Sequence, residues 1–488
     1  MTVRTRYAPS PTGVPHLGNI RTALYDWLLA RRHGGTFILR IEDTDQQRYV
    51  EGGVEALQDA LTWLGMDWDE GPDKGGAFGP YVQSQRLDIY HEHTQKLIDT
   101  GWAYRCYCSP ERLDQVRAAQ QARKEPPRYD RHCRDLDDAQ RAEREAAGDR
   151  AVVRFKTPLT GETETHDVLR GSVLFRNDTL DDFVILKSDG FPTYHLAAMV
   201  DDHLMEITHV IRGDEWLPSA PRHYLIYQAF GWKPPIFAHV SRILGPDKAK
   251  LSKRHGAHSV LEYREQGYLP DALVNFLALL GWSLDDHTEI IDRETLVKNF
   301  DVDRLIPNPA VFNEEKLLWM NGMYIRMMAP RAFAEATRPH LEKALGREID
   351  PALLERIAPF VQERVKLLPE IVDMADFFFT TGTLEYGVET LLGKKFAGEP
   401  RIAADALARV VSASEGTADW RHEAIEASVR PLAEELGMKA GDLFGLVRVA
   451  ITGKTAAPPL FETMEVLGRE ATLERIRSAQ ERLAALIR

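Results

Sequence analysis

Residues 2–42 read "TVRTRYAPSPTGVPHLGNIRTALYDWLLARRHGGTFILRIE", and this stretch decides the fold. Its first seven residues alternate, with Val3, Thr5 and Tyr7 on one face and Arg4, Arg6 and Ala8 on the other, as a strand requires. From Gly18 the period changes. Ile20, Ala23, Leu24, Trp27 and Leu28 recur at helical spacing, and Arg31, Arg32 and His33 followed by Gly34 suit a helix carboxyl end. "TFILRIE" is again a short apolar strand. Strand, helix and strand within about forty residues make a βαβ unit, which predicts a parallel sheet and an α/β, Rossmann-type fold.

Moving outward, the pattern changes from about residue 103 to 193. This part holds Cys106, Cys108 and Cys133, a long polar run from Arg117 to Asp149, and short strands such as "AVVRFKT" and "DDFVILKS". It reads as an α+β insertion. Strand and helix alternation returns with "HLAAMVDD", "EITHVIRGDEW" and "SAPRHYLIYQAFG", which we take as the second half of the same sheet. After about residue 260 helical patterns dominate. "YLPDALVNFLALLG" has Pro270 in a first turn and Gly281 at its stop. Leu354, Ile357, Val361, Val365 and Leu368 form one stripe, with Pro359 placed to kink or divide it. The carboxyl-terminal third is expected to be all-α.

A chain of 488 residues allows about three domains with ample core. Apolar content of 44% and charged content of 28% are those of a globular protein. The start lacks the apolar segment of a secretory signal, and the longest apolar run, "ALVNFLALLGW", is too short for a membrane span. Three cysteines cannot form a disulfide framework, so a reducing cytoplasm is expected. A net charge of −13 argues against indiscriminate nucleic-acid binding but allows a local basic surface.

The loop between the first strand and the first helix carries Pro9, Pro11, Pro15, Gly13 and Gly18, with His16 at the helix entrance. In a βαβ unit, that helix start aims free N–H groups at the carboxyl edge of the sheet, where phosphates bind. The prolines stiffen the loop, and the glycines let a ligand approach the backbone. Taken alone, the segment reads rather as a stiff surface loop with a solvent-facing histidine. "AKLSKRHG", residues 249–256, brings Lys250, Lys253 and Arg254 around Ser252, a cation group suited to a triphosphate losing pyrophosphate. A solvated basic turn is the bland alternative.

Together, "RYAPSPTG…HLGN", "RIEDTD", "PTYHLA…VDDHL…ITHVIRGDEWL" and "KLSKRHG" resemble the signatures of class I aminoacyl-tRNA synthetases, and within them the bacterial glutamyl-tRNA synthetases. The resemblance spans about residues 3–330; beyond that it rests on length and helical character. It implies ATP-dependent attachment of L-glutamate to the 3′ end of tRNA(Glu) through a glutamyl-adenylate. It implies that His16, Gly18, Lys250, Ser252 and Lys253 bind ATP, with Mg2+ arriving on the nucleotide, and that His16, Lys250 and Lys253 assist pyrophosphate departure. Asn19 stands where the class signature has histidine and is given no catalytic role.

The same resemblance places Arg6, Ala8, Ser10, Glu42, Tyr194 and Arg212 around the glutamate. A substrate with two carboxylates and one ammonium needs guanidinium groups and a carboxylate, which Arg6, Arg212 and Glu42 supply. Without the family, each arginine reads as an ordinary ion pair. Ala198 replaces an asparagine common in relatives. Asp43 and Asp45 are expected as structural caps or as contacts to ribose and the tRNA end.

The cysteine spacing resembles a zinc site found in some members, where a histidine two residues after the last cysteine completes the set. Here that position is Asp135, so Cys106, Cys108, Cys133 and Asp135 are the expected Zn2+ ligands, with Tyr129 and His132 nearby. The alternative is a vestigial site of small packing thiols.

By resemblance the chain divides into a split catalytic domain (1–105 and 194–260), an inserted acceptor-end domain (106–193), a connecting domain (261–330) and an anticodon-binding domain (331–488). Arg356, Arg364, Lys366 and Arg448 are the candidate RNA contacts. A monomer is the default, with no membrane partner. A form also charging tRNA(Gln), and a non-catalytic tRNA-binding paralogue, are the rival readings.

Overall fold

A computed structural model describes residues 2–13, 15–251 and 259–487. They form two compact units. One comprises residues 1–264 and 270–314; the other comprises 265–269 and 315–488.

The first unit is organised by β1 (Arg4–Tyr7), α1 (Leu17–Arg32) and β2 (Thr36–Leu39). β1 and β2 are parallel, with Arg4 opposite Thr36 and Tyr7 opposite Leu39. The expected apolar stripe of α1 is buried, and so are Tyr25, Asp26, Leu29 and Ala30 on its other side. The helix is covered twice, by the sheet beneath and by helices Pro270–Leu279 and Arg293–Asn299 above.

The chain then runs through α2 (Gly53–Trp63), α3 (Leu87–Asp99), β3 (Ala103–Cys106), α4 (Pro110–Ala122), α5 (Asp138–Ala146), β4 (Val152–Phe155), β5 (Glu162–Asp167), β6 (Gly171–Arg176) and β7 (Val184–Leu186). α6 (Tyr194–Leu204), β8 (His209–Gly213), α7 (Ala220–Phe230) and β9 (Ile236–Val240) follow. β8 and β9 are parallel in the order β6–β5–β9–β8. The sheet continues to β1 through Thr208, whose N–H donates to the Arg4 carbonyl at 2.9 Å. Strands β3, β4 and β7 form a separate antiparallel sheet. β5 meets β9 at Asp167 and Phe237, so this part of the inserted stretch extends the parallel sheet. α5 has no buried residue and is opened by an Asp137–Gln140 capping box.

The second unit is helical, with two apolar cores. One gathers Ile325, Phe333, Leu341, Leu354, Ile357, Val361 and Phe377. The other gathers Leu407, Val410, Ile425, Leu446, Ile476 and Leu483. Leu354, Ile357, Val361 and Val365 of the expected stripe are fully buried. Pro359 sits inside helix Pro351–Val361, which stops two residues later, and short turns lead to Ile371–Ala375. The expected connecting segment 261–330 is shared between the units. Glu265–Leu269 joins the second because the Leu269 N–H donates to Asn321 Oδ1 at 2.8 Å and the Gly267 carbonyl accepts from the Leu368 N–H.

Candidate active site

The carboxyl ends of β1 and β2 bring the first group of expected residues together. The ladder continues past both strands: Arg40 N–H donates to the Tyr7 carbonyl and Glu42 N–H to the Pro9 carbonyl. This sets Glu42 beside the backbone that carries Ala8 and exposed Ser10. Arg6 is 4% exposed. Its Nε donates to Asp202 Oδ1 at 3.0 Å, while its terminal nitrogens keep no protein partner among the described residues. Arg40 is fully buried between the two. It lies 2.8 Å from Asp202 and 2.9 Å from Glu42. Asp201 extends the lattice to Arg86 at 2.8 Å and to the Tyr90 hydroxyl at 2.7 Å. Three guanidinium groups (Arg6, Arg40, Arg86) and three carboxylates (Glu42, Asp201, Asp202) therefore form one buried network, which tolerates burial because each charge is paired.

Within the network the carboxylates differ. Burial pushes the Asp202 carboxyl upward, but Arg6 and Arg40 outweigh it and hold it below its ordinary value. At Glu42 burial wins over Arg40 and Arg6, and the carboxyl is raised. Glu42 thus lacks full cationic compensation, which a substrate ammonium would supply.

On the neighbouring strands, Arg212 closes β8. It is 5% exposed and donates to the Tyr194 hydroxyl at 3.2 Å, to His239 Nε2 at 2.9 Å and to His223 Nδ1 at 3.0 Å. No carboxylate of the described residues makes an ion pair with it. Burial raises the Tyr194 hydroxyl pKa, and Arg212, Glu42 and Arg6 all act electrostatically on that group. Arg6, Glu42, Tyr194 and Arg212 therefore share one locality.

The helix entrance is built as a phosphate cradle requires. His16 caps α1: its Nδ1 accepts from the Asn19 N–H, which leaves Nε2–H free to donate outward. Asn19 therefore acts through its backbone. A Cβ at Gly18 would stand 3.3 Å from His16 Nδ1, so the glycine leaves space for the ring. Gly13 adopts φ +140°, a conformation that favours glycine. No acidic residue occupies the first turn of α1, so no carboxylate there would oppose an anion at the helix start. Partial desolvation and the Lys250 charge lower the His16 pKa, against a smaller upward pull from Glu215. Ser252 and Lys253 lie outside the described residues. The chain on either side, at Lys250 and Ser259, lies beside His16: Lys250 acts on it electrostatically and Ser259 bridges to it.

Asp43 accepts from the Ser84 N–H at 2.8 Å. Ala198 is fully buried on α6. The residues that sequence reasoning missed are Arg40, Asp202, His239, His223 and Asp167. Arg40 and Asp202 lie within the quoted strings "RIEDTD" and "VDDHL". His239 was signalled only by a histidine in the apolar strand "IFAHV".

The thiols of Cys106, Cys108 and Cys133 cluster as expected, with Cys108 and Cys133 Sγ 3.6 Å apart. Asp135 is corrected. It is 82% exposed and pairs with Lys156, away from the sulfurs. The Tyr129 hydroxyl instead lies beside the sulfurs, 3.2 Å from Cys106 Sγ and 3.7 Å from Cys108 Sγ. The cause is local: residues 129–133 turn back on themselves, with the Cys133 N–H bonded to the Tyr129 oxygen, while residue 135 already points outward. Hydrogen bonding from Cys133 and Tyr129 outweighs burial and lowers the Cys106 thiol pKa. Three thiols within 4.8 Å of one another fit the donor chemistry of Zn2+, and the phenol oxygen beside them is a fourth donor atom.

In the helical unit, Arg356, Arg364 and Lys366 are exposed, and Arg448 is half-buried. Burial and the like charge of Arg364 lower the Arg448 pKa, and its Nε has no partner. This pairing of cations suits an anion.

Residues 2–319 match the family described as class I tRNA synthetases (E and Q), catalytic domain, and residues 332–480 match an anticodon binding domain. The chain is 52% identical over 99% of both lengths to a protein of Dehalococcoides mccartyi named glutamate–tRNA ligase. It is 46% identical over 97% of both lengths to one of the same name from Moorella thermoacetica. A crystal structure of a glutamate tRNA ligase from Elizabethkingia meningosepticum, in complex with its amino acid, superimposes with a TM-score of 0.91 at 38% identity, covering 99% of this chain and all of that one. The chain therefore belongs to the class I tRNA synthetases of the glutamate and glutamine group.

Proposed function

We propose that the chain is a glutamate–tRNA ligase, joining L-glutamate to the 3′ end of tRNA(Glu) with ATP and releasing AMP and pyrophosphate. The observation that carries this reading is the charge arrangement around the buried lattice. Among the described residues, Arg212 is a buried cation without a carboxylate, Glu42 is a carboxylate short of positive charge, and Arg6 has terminal nitrogens without a protein partner. Glutamate brings the complementary groups.

In this reading Glu42 holds the ammonium, Arg212 with Tyr194 grips one carboxylate, and Arg6 and Ser10 orient the other beside Ala8. ATP lies across the start of α1, with His16 Nε2–H and the Gly18 backbone at its phosphates. The glutamate α-carboxylate attacks the α-phosphorus, and pyrophosphate leaves toward Lys250, Ser252 and Lys253. A terminal ribose hydroxyl of tRNA then attacks the activated carbonyl, releasing AMP. Positioning and fixed charge do most of the work, and little acid–base catalysis is required. Mg2+ enters with the nucleotide and neutralises phosphate charge. Residues 106–193 serve the acceptor end, 261–330 connect, and 331–488 read the anticodon, with Arg364 and Arg448 as phosphate contacts. Zn2+ held by Cys106, Cys108, Cys133 and Tyr129 would cross-link the start of the insertion.

The test is ATP-dependent transfer of labelled glutamate to purified tRNA(Glu) and tRNA(Gln). Charging of tRNA(Glu) is expected, and the second tRNA decides whether the enzyme discriminates. Absence of ATP-dependent charging of either overturns the reading.

A further inference from the structure

We propose that His239 and His223 act as positioning residues, fixed as neutral acceptors, which hold Arg212 without neutralising it and so make the site select a side-chain carboxylate over an amide. This inference rests on the reading of the site as a glutamate pocket.

A guanidinium only donates. His239 Nε2 and His223 Nδ1, each within 3.0 Å of it, must therefore both present lone pairs. The other nitrogen of each ring then carries the proton. At His239 that proton meets Asp167, whose Oδ2 lies 2.6 Å from Nδ1. At His223 it meets His195 Nδ1 at 3.0 Å. Asp167 is anchored in turn, because its Oδ1 accepts from the Leu169 and Arg170 N–H groups and its Oδ2 from the His239 N–H. Both tautomers are thus set from both sides.

The contrast with the rest of the site gives the arrangement its meaning. Arg6, Arg40 and Arg86 each bond a carboxylate directly. Arg212 instead donates three hydrogen bonds to neutral groups, so it is oriented but keeps its charge. A substrate carboxylate would meet that charge in a nearly dry site. A substrate amide could offer one oxygen but neither a bidentate pair nor a charge, and would leave the buried Arg212 cation uncompensated.

The surroundings keep the clamp neutral. Burial and the Arg212 charge lower His239, partly opposed by Asp167, and Arg170 adds to the lowering. His223 is lowered further by burial, Arg212, His195, His239 and Arg222. His195 is held at about 4 by burial with Arg222 and Arg212, against a small pull from Asp181. As pH falls, His239 is the first of the two acceptors to take a proton, on Nε2. That removes the bond to Arg212 and places a second cation against it.

The experiment is steady-state charging by the full-length enzyme, with glutamate and with glutamine, from about pH 5.5 to about pH 8.5. For the unaltered enzyme, KM for glutamate should rise toward acid pH. His239→Gln keeps a carbonyl acceptor that cannot titrate. It should leave KM within about threefold at neutral pH and flatten the acid rise. His239→Ala should raise KM for glutamate about tenfold or more with kcat changed less, and should narrow the preference over glutamine. A 15N histidine spectrum of the unaltered protein, assigned with His239→Gln, gives a readout independent of activity and of the alanine variant's folding. It should show His239 protonated at Nδ1 only. An acid rise unchanged in His239→Gln, or an Nε2–H tautomer, overturns the clamp while leaving the ligase reading standing. An unaltered enzyme that charges nothing overturns that reading instead.

Discussion

Arg40 Nη1 lies 2.8 Å from Asp202 Oδ1, and neither side chain reaches solvent. The same oxygen accepts from Arg6 Nε, and Arg40 in turn holds Glu42. One carboxylate oxygen thus sets both residues proposed to flank the substrate. Asp202→Asn is expected to cost about 3–5 kcal/mol, since it leaves two buried guanidinium groups short of charge. Urea unfolding measures this. Its pH dependence follows from the lowered Asp202 pKa. The stabilisation is present above the unfolded value, near pH 3.9, and is lost as pH falls through the lower folded value. The gap between the two proteins should therefore close in strong acid. A gap unchanged there, or absent at neutral pH, contradicts the assignment.

Glu42 has the opposite sign. Its carboxyl is raised in the folded protein, so it contributes least at neutral pH and the fold gains as pH falls through the raised value. Glu42→Gln keeps an acceptor for Arg40 and removes the poorly compensated charge. Stability at neutral pH should be unchanged or higher by about 1 kcal/mol, while glutamate activation falls by about a hundredfold or more. A large loss of stability with retained activity would mean that Glu42 is a structural ion-pair member.

These cases show what was legible in the sequence. The βαβ start was readable because the period switches from two to 3.6 within one stretch, and the helical tail because Leu354, Ile357, Val361 and Val365 keep one face. The strings around Arg6, Glu42 and Arg212 marked the site. Arg40 and Asp202 sat inside those strings without standing out, because which charges become buried partners depends on chain segments some 160 positions apart that meet only in the fold. The unit boundary was hidden for the same reason, since the Leu269–Asn321 bond draws five residues across it. Asp135 failed because spacing along a chain does not tell which way a side chain points.

The thiol cluster separates its candidate ligands cleanly. Purified protein is expected to hold about one equivalent of Zn2+, and Asp135→Ala should retain it, because Asp135 faces solvent. Tyr129→Phe removes the oxygen that touches two of the sulfurs and should weaken retention by about tenfold or more in a chelator competition. Metal lost in Asp135→Ala and kept in Tyr129→Phe would restore the spacing-based assignment.

Arg475 makes the last prediction, within the helical unit. It is 3% exposed and ties two stretches of chain by three carbonyls: Ile451 at 2.8 Å in one, and Phe377 at 2.9 Å and Thr380 at 2.7 Å in the other. Phe377 belongs to one apolar core and Ile451 to the other. Burial lowers the Arg475 pKa, so the side chain is held by those carbonyls against a real desolvation cost. Arg475→Met keeps most of the volume but leaves three carbonyls without their donor, two of them bonded to one nitrogen. The expected loss is about 2–4 kcal/mol in the unfolding transition of this unit. Limited proteolysis of the full chain should then cut earlier within residues 380–450, the stretch between the tied carbonyls. A transition shifted by less than about 0.5 kcal/mol would mean that apolar packing alone joins the two cores.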